Sequence, residues 1–579
     1  MPEPGPLAEA NLFWAYALID GLAAAGARQA VISPGSRSTP LVLACDAHPA
    51  IRIEVMVDER SAAFLALGKA RAEQRPVILI ATSGSAPAHW HPAVIEACHA
   101  NVPLILLSAD RPPELHGWGA NQTTDQQRLF SGHLRAFHDP GPALTEAPAR
   151  ETLRATALGL GQQSRHPHPG PVHINLPFRE PLVPQTMPAL PPATPVIDTP
   201  TPGEAPTTEE LDQINALIAA GPGLILCGGD HPKHGFADAV TALARHLSCP
   251  LLADPLSNLR HGPHDRDRLL CHYDAYIEHL GNRTPAWILR FGALPVSKPL
   301  LQFLQRSRAP VILCDPYRQW PTRPPHTRIV SHADPLKLCR ALCQSPAAAA
   351  DSEWCTGLLE RERRTAELMQ ADTEQDRPFE GSLVQALMTH LPPYSLLFSG
   401  NSMPIRQIDS WSGQSERPLR LAANRGVSGI DGNLATFIGM AETTPGLAVA
   451  LIGDLAFYHD MNSLLAARDR KLLIILINNR GGGIFGYLPQ ARLEGYQAYW
   501  NTDTDLPFEH AAALYGLRYR RVERQSEFVP ALQLAIADEG PQLIEVRVDR
   551  EFSIRHHRAY RQRVEESIKG RPGTLTSGN

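Results

Sequence analysis

Short runs of apolar residues recur along this chain, each bounded by polar or Gly/Pro-marked turns, with stretches of helical spacing between them. In the first third the runs fall at residues 30–33 (AVIS), 52–56 (RIEVM), 77–81 (VILIA), 104–108 (LILLS) and 172–175 (VHIN), and helical patterns cover 10–25 and 61–71. A second set lies at 224–227, 250–253, 287–291 and 311–314. A third contains 448–452 (AVALI) and 472–477 (LLIILI), with a helix predicted over 461–467. Apolar runs without alternation suit strands buried on both faces, and strands that alternate with helices build parallel, doubly wound sheets. The expected fold class is α/β, with three doubly wound parallel-sheet domains.

Proline density marks the clearest boundary. Residues 186–206 (TMPALPPATPVIDTPTPGEAP) favour an extended, semi-rigid connector. The expected division is a domain over 1–185, the Pro-rich linker 186–206, a central α/β domain over 207–345, a linker with an Ala-rich start over 346–365, and a last domain over 366–579. The central domain carries a Cys227-Gly228-Gly229-Asp230 turn like a dinucleotide loop, but it lacks G-x-G-x-x-G and reads as architectural. The Gly/Ser/Thr-rich tail from Arg571 is expected to fray.

Composition narrows the function classes. A chain of 579 residues exceeds one core, and 43% hydrophobic with 20% charged residues indicates a globular protein. The net charge of −5 gives no general attraction to nucleic acid or anionic membrane, so neither is expected as a partner. The N-terminal stretch has no basic n-region and no apolar run approaches a bilayer span, so the expected location is cytoplasmic. Nine cysteines without a Cys-x-x-Cys pair argue against a disulfide framework or zinc ribbon, and Cys339 and Cys343 are expected to pack as small hydrophobes. His89-Trp90-His91 and His556-His557 lack a nearby third ligand.

The candidate chemistry sits where strands end. Asp454 follows one predicted strand and Asn478-Asn479 closes the next, so a carboxylate and an amide meet the carboxyl edge, where open α/β sheets bind ligands. Hard oxygen donors there suit Mg²⁺ carrying substrate phosphates, although a plain crossover with polar ends fits these residues equally. Glu59 follows another strand and begins a helix. It is either a site carboxylate, whose pKa burial would raise, or a first-turn carboxylate favoured by the helix dipole. Arg37, Arg111, Lys298, Arg406 and Arg425 lie in Gly- or Pro-marked loops after predicted strands, and arginine's planar fork matches carboxylates.

The pairing of Gly453-Asp454-Leu455 with Asn478-Asn479-Arg480-Gly481 resembles the signature of the thiamine-diphosphate-dependent enzymes; the third position is Leu455, where many relatives have Gly. Further segments point to the branch of menaquinone biosynthesis. They are Ile32 to Pro40 (ISPGSRSTP), Asp58-Glu59-Arg60-Ser61, Ser108 to Leu115 (SADRPPEL), Gly119 to Gln122, Gly400-Asn401-Ser402, Asn424 to Gly432 (NRGVSGIDG) and Gly482-Gly483-Ile484-Phe485. The resemblance spans all three domains and implies that they are the pyrimidine, central and diphosphate domains of that family.

It also implies cofactors, substrates and roles. Thiamine diphosphate would be held through Mg²⁺, with Mn²⁺ as an alternative, by Asp454, the Asn479 side chain and the Gly481 carbonyl. Glu59 would be the catalytic residue, hydrogen-bonded to the aminopyrimidine. Ile430 would support the bent cofactor, Ser402, Ile484 and Phe485 would line its cavity, and Leu488 would join them. The implied substrates are 2-oxoglutarate, which is decarboxylated to a succinyl carbanion, and isochorismate, to which that carbanion adds in a 1,4-addition. Ser36, Arg37, Arg111, Gln122 and Lys298 would receive isochorismate, while Ser402, Arg406 and Arg425 would hold the succinyl part, with Phe485 and Leu488 beside them. The implied assembly is a homodimer or dimer of dimers with active sites shared between subunits. Another thiamine-dependent carboligase, such as an acetolactate synthase, is the rival reading; its smaller, more apolar substrates fit the arginine-rich loops less well.

Overall fold

The computed structural model describes residues 4–195, 203–229, 234–281, 283–320, 322–346, 352–370 and 376–569. The expected frayed tail lies outside these. So do parts of both linkers. Every strand pairing among the described residues is parallel, and the strands form three six-stranded sheets. The chain divides into two compact units. One is Met1–Thr201 with Asn424–Thr444 and Tyr458–Arg470; the other is Pro202–Ala423 with Pro445–Phe457 and Lys471–Asn579.

The first unit holds β1 (Gln29–Ile32), β2 (Arg52–Val55), β3 (Val77–Ala81), β4 (Leu104–Asp110), β5 (Ala136–His138) and β6 (Val172–Pro177), in the order β2-β1-β3-β4-β6-β5. Its central strands are wholly buried, which is why their sequences are continuously apolar. The helix Glu59–Glu73 begins two residues earlier than its hydrophobic pattern, because the Asp58 carboxylate caps the Ser61 N–H at 3.0 Å. Helix Asn433–Ala441 packs on it closely: a Cβ on Gly68 would lie 2.1 Å from the Thr436 carbonyl oxygen.

The second unit contains two sheets. The middle one comprises β7 (Leu224–Cys227), β8 (Leu251–Ala253), β9 (Leu269–Leu270), β10 (Ile288–Phe291), β11 (Val311–Cys314) and β12 (Thr327–Ser331), ordered β12-β11-β10-β7-β8-β9. The third comprises β13 (Leu396–Ser399), β14 (Arg420–Ala423), β15 (Ala448–Gly453), β16 (Leu472–Asn478), β17 (Arg518–Val522) and β18 (Pro541–Arg547), ordered β14-β13-β15-β16-β18-β17. The first and third sheets thus share one strand order. One hydrophobic cluster runs through the middle and third sheets, from Leu224 through Leu397 to Val564. The fully buried Arg260, in the loop after β8, reaches helix Met403–Trp411, donating to the Asp409 carboxylate and carbonyl, each at 2.6 Å.

Two features differ from the sequence reading. Residues 346–365, read as a linker, contain most of helix Glu353–Gln370, whose buried Glu362 accepts the Cys271 N–H at 2.6 Å and the Tyr276 hydroxyl at 2.9 Å. A helix starts at Asp454 and runs to Asp460, and the segment predicted as the crossover helix, Met461–Ala467, is 3₁₀. The Gly228-Gly229 turn packs on the loop after β10: Cβ atoms at Gly228 and Gly292 would lie 1.8 and 2.5 Å from the carbonyl oxygens of Ala293 and Gly229. The turns that follow β7 and β10, neighbours in the sheet, therefore pack directly on each other.

Candidate active site

In the third sheet the order reverses between β13 and β15, and the residues after these strands are Gly400-Asn401-Ser402 and Asp454. A doubly wound sheet offers its ligand crevice at this reversal. Asp454 is 2% exposed, and its Oδ2 accepts the Gly481 N–H at 2.7 Å while Oδ1 accepts the Leu455 N–H at 2.9 Å. Burial pushes this carboxyl up to about 6, and the backbone donors of Gly481 and Leu455 work against that rise. The loop that reaches Asp454 needs its glycines. Gly481 has φ +121° and a Cβ there would lie 1.9 Å from the Asn501 carbonyl oxygen, which also accepts the Gly482 N–H at 2.7 Å.

Asn479 follows β16, and its Oδ1 is buried with no partner among the described residues. A Cβ on Gly453 would meet nothing within 4 Å, so space opens over the end of β15. A buried carboxylate, an unpartnered amide oxygen and open space are the donor set of a hard divalent cation with phosphate oxygens completing its shell. The residues present fit such an ion.

The other expected residues of this unit lie in three places. Ser402 stands at φ +70°, unusual for a side-chain-bearing residue, and its carbonyl accepts from the Arg406 guanidinium one turn along helix Met403–Trp411. Ile484 and Phe485 are half-buried in the 3₁₀ turn Gly483–Tyr487, and the half-buried Leu488 follows, its N–H on the Phe485 carbonyl at 3.1 Å. Lys298 is exposed at the first position of helix Lys298–Ser307.

In the first unit the reversal lies between β1 and β3. Glu59 is half-buried at the start of its helix, after β2. Arg37, Arg111 and Gln122 come together: Arg111 Nη2 donates to Gln122 Oε1 at 3.1 Å, and both arginines face Glu180. Ser36 is exposed beside Arg37, Ile430 is 43% exposed, and Arg425 is half-buried in the loop before it.

Two residues that hold or face the expected ones escaped the sequence reading. Glu96, 2% exposed, accepts the N–H groups of Gly426 and Val427, each at 2.7 Å, and so fixes the loop that carries Arg425. Glu180 is the other. Each belongs to a segment without a motif signal of its own, Glu96 in helix His91–His99 and Glu180 in Phe178-Arg179-Glu180-Pro181.

Comparison with known proteins finds two matching domains and a set of full-length relatives. Residues 14–129 match the thiamine pyrophosphate enzyme N-terminal TPP binding domain, and residues 407–546 match the C-terminal TPP binding domain. A 2-succinyl-5-enolpyruvyl-6-hydroxy-3-cyclohexene-1-carboxylate synthase of Dechloromonas aromatica is 41% identical over 543 residues, 93% of this chain and 98% of its own. Synthases of the same name from Geobacillus kaustophilus and Halobacterium salinarum are 42% and 37% identical, each covering 97% of this chain, and 99% and 98% of their own. The chain belongs to this synthase family.

Asp454, Asn479 and Gly481 all lie in the region matched by the C-terminal domain model, and Glu59 lies in that matched by the N-terminal one. The middle sheet is matched by neither domain model.

Proposed function

We propose that this protein decarboxylates 2-oxoglutarate and joins the resulting succinyl group to isochorismate by 1,4-addition, giving 2-succinyl-5-enolpyruvyl-6-hydroxy-3-cyclohexene-1-carboxylate and CO₂ in menaquinone biosynthesis. The observation that carries this reading is full-length relatedness to synthases of that name together with the buried Asp454 carboxylate held against the Gly481 loop. Thiamine diphosphate, when bound, supplies the electron sink that decarboxylation of a 2-oxo acid requires.

The protein's residues bind, orient and hold protons. Asp454, the Asn479 side chain and the Gly481 carbonyl hold Mg²⁺, or Mn²⁺, and through it the diphosphate. Glu59 is the acid–base group at the pyrimidine ring. Ile430, Ser402, Ile484 and Phe485 shape the cofactor cavity. Arg37, Arg111, Gln122, Ser36 and Lys298 take the acceptor's carboxylates, and Arg406, Arg425 and Ser402 take the donor's, with Phe485 and Leu488 packing beside the substrates. The working assembly is a homodimer or dimer of dimers.

The test is incubation of the purified protein with thiamine diphosphate, Mg²⁺ and 2-oxoglutarate, with and without isochorismate, following CO₂ and product mass. The expected result is CO₂ release with a coupled product only when isochorismate is present. Coupling of pyruvate instead, with no turnover of 2-oxoglutarate, would transfer the chain to the acetolactate type.

A further inference from the structure

Arg37 is buried, 3% exposed at its side chain, and its Nη1 donates to the Phe178 carbonyl at 2.8 Å. Its Nη2 donates to Glu180 Oε1 at 2.7 Å, and Arg111 Nη1 lies 3.8 Å from the same oxygen. The Nε atoms of both arginines are buried with no partner among the described residues. Two guanidinium groups thus converge on one carboxylate that belongs to the chain itself.

The backbone beneath Glu180 is fixed, and its paired side chain lies open to solvent. The Phe178 N–H bonds to the Asp110 carbonyl at 3.1 Å, and Arg179 grips Glu114 through two hydrogen bonds of 2.7 and 3.1 Å. The Glu180 carboxylate, by contrast, is 69% exposed. Moving it into water costs it little, whereas leaving a buried guanidinium without an anion is costly. A carboxylate seated at the two arginines assigned to a carboxylate ligand, with one side in water, is placed to compete with that ligand.

We propose that Glu180 is a displaceable counter-ion that pairs with Arg37 and Arg111 until a carboxylate of isochorismate replaces it, setting the affinity for the acceptor. This rests on the acceptor assignment of Arg37 and Arg111 above. Apparent affinity falls by the fraction of protein whose arginines are engaged, so releasing them tightens acceptor binding.

The experiment compares Glu180→Gln with the parent protein in Michaelis curves for both substrates. The expected result is a KM for isochorismate lowered about 3- to 10-fold, with the KM for 2-oxoglutarate shifted far less and kcat moving less than the acceptor KM. Glu180→Asp, which keeps the charge but shortens the reach, is the second variant and should move the same KM in the same direction by less. An acceptor KM that is unchanged or raised in the variant that folds, or an equal shift for both substrates, overturns the proposal. Arg111→Ala separates this from failure of the underlying reading. If it raises the acceptor KM while Glu180→Gln does not lower it, the counter-ion role fails alone; if it leaves that KM unchanged, the acceptor assignment has failed first.

Discussion

The Gly481 N–H donates to the Asp454 carboxylate at 2.7 Å, tying the end of β15 to the loop after β16. The bond fixes the carboxylate that the proposed cation needs, and it holds only because the glycine loop passes so close. Removing the carboxylate as Asp454→Ala should abolish Mg²⁺-dependent binding of thiamine diphosphate, leaving affinity down at least about 100-fold. Isothermal calorimetry with and without Mg²⁺ measures this directly. Unchanged metal-dependent affinity would sink the clamp.

Gly481→Ala attacks the same contact from the loop side. Its φ of +121° and the 1.9 Å approach of the Asn501 carbonyl leave no place for a methyl group. The expected loss is about 2 kcal/mol of stability or more, with weakened cofactor affinity. Denaturant unfolding checks the first part. A variant as stable as the parent would mean that the loop relaxes freely.

Glu59→Gln should leave the cofactor bound while slowing proton exchange at its reactive carbon, and turnover with it, about 100-fold or more. Deuterium exchange followed by NMR decides between this role and a simple helix-start carboxylate. Normal exchange would favour the helix.

His173, wholly buried on β6 with Nε2 2.7 Å from Ser108 Oγ, is held neutral: burial pushes its pKa down to about 3. A histidine whose folded pKa lies below its unfolded value contributes stability above the unfolded pKa, near 6.5, and loses it as pH falls toward 3. Between pH 7 and pH 5 the parent should therefore lose about 2 kcal/mol more than His173→Gln. Unfolding titrations of both proteins at the two pH values give that difference, and parallel pH profiles would contradict it.

Glu59 and Asp454 fall in different units of the chain. If active sites are shared between subunits, mixing inactive Glu59→Gln with inactive Asp454→Ala protein under exchange conditions should restore up to one intact site per heterodimer. Absence of recovery, with exchange demonstrated by mass spectrometry, would mean that each chain completes its own site.

Much of the scaffold was legible because burial on both faces writes itself as unbroken apolar runs. The predicted runs at 77–81 and 472–477 coincide with β3 and all but the last residue of β16. The edge strands β5 and β12, each partly exposed and mixed in polarity, were not legible, although the equally exposed edge strand β2 was. The helix at Asp454 was missed because Gly453-Asp454 reads as a turn, although β15 feeds directly into it. Motif residues such as Asp454 and Asn479 could be proposed one by one from their neighbours in the chain. Glu180 and Glu96 could not, because their partners lie 143 and 330 residues away along the chain and only folding brings them together.

The middle and third sheets each place a glycine at the end of a strand, and the two glycines do opposite work. At Gly453 the missing side chain leaves open space, whereas at Gly228 it lets two turns of the chain meet. A substitution to alanine at Gly453 would therefore only narrow that space, and the same change at Gly228 would prise the two turns apart. One residue type thus keeps room at the end of one strand and closes it after another.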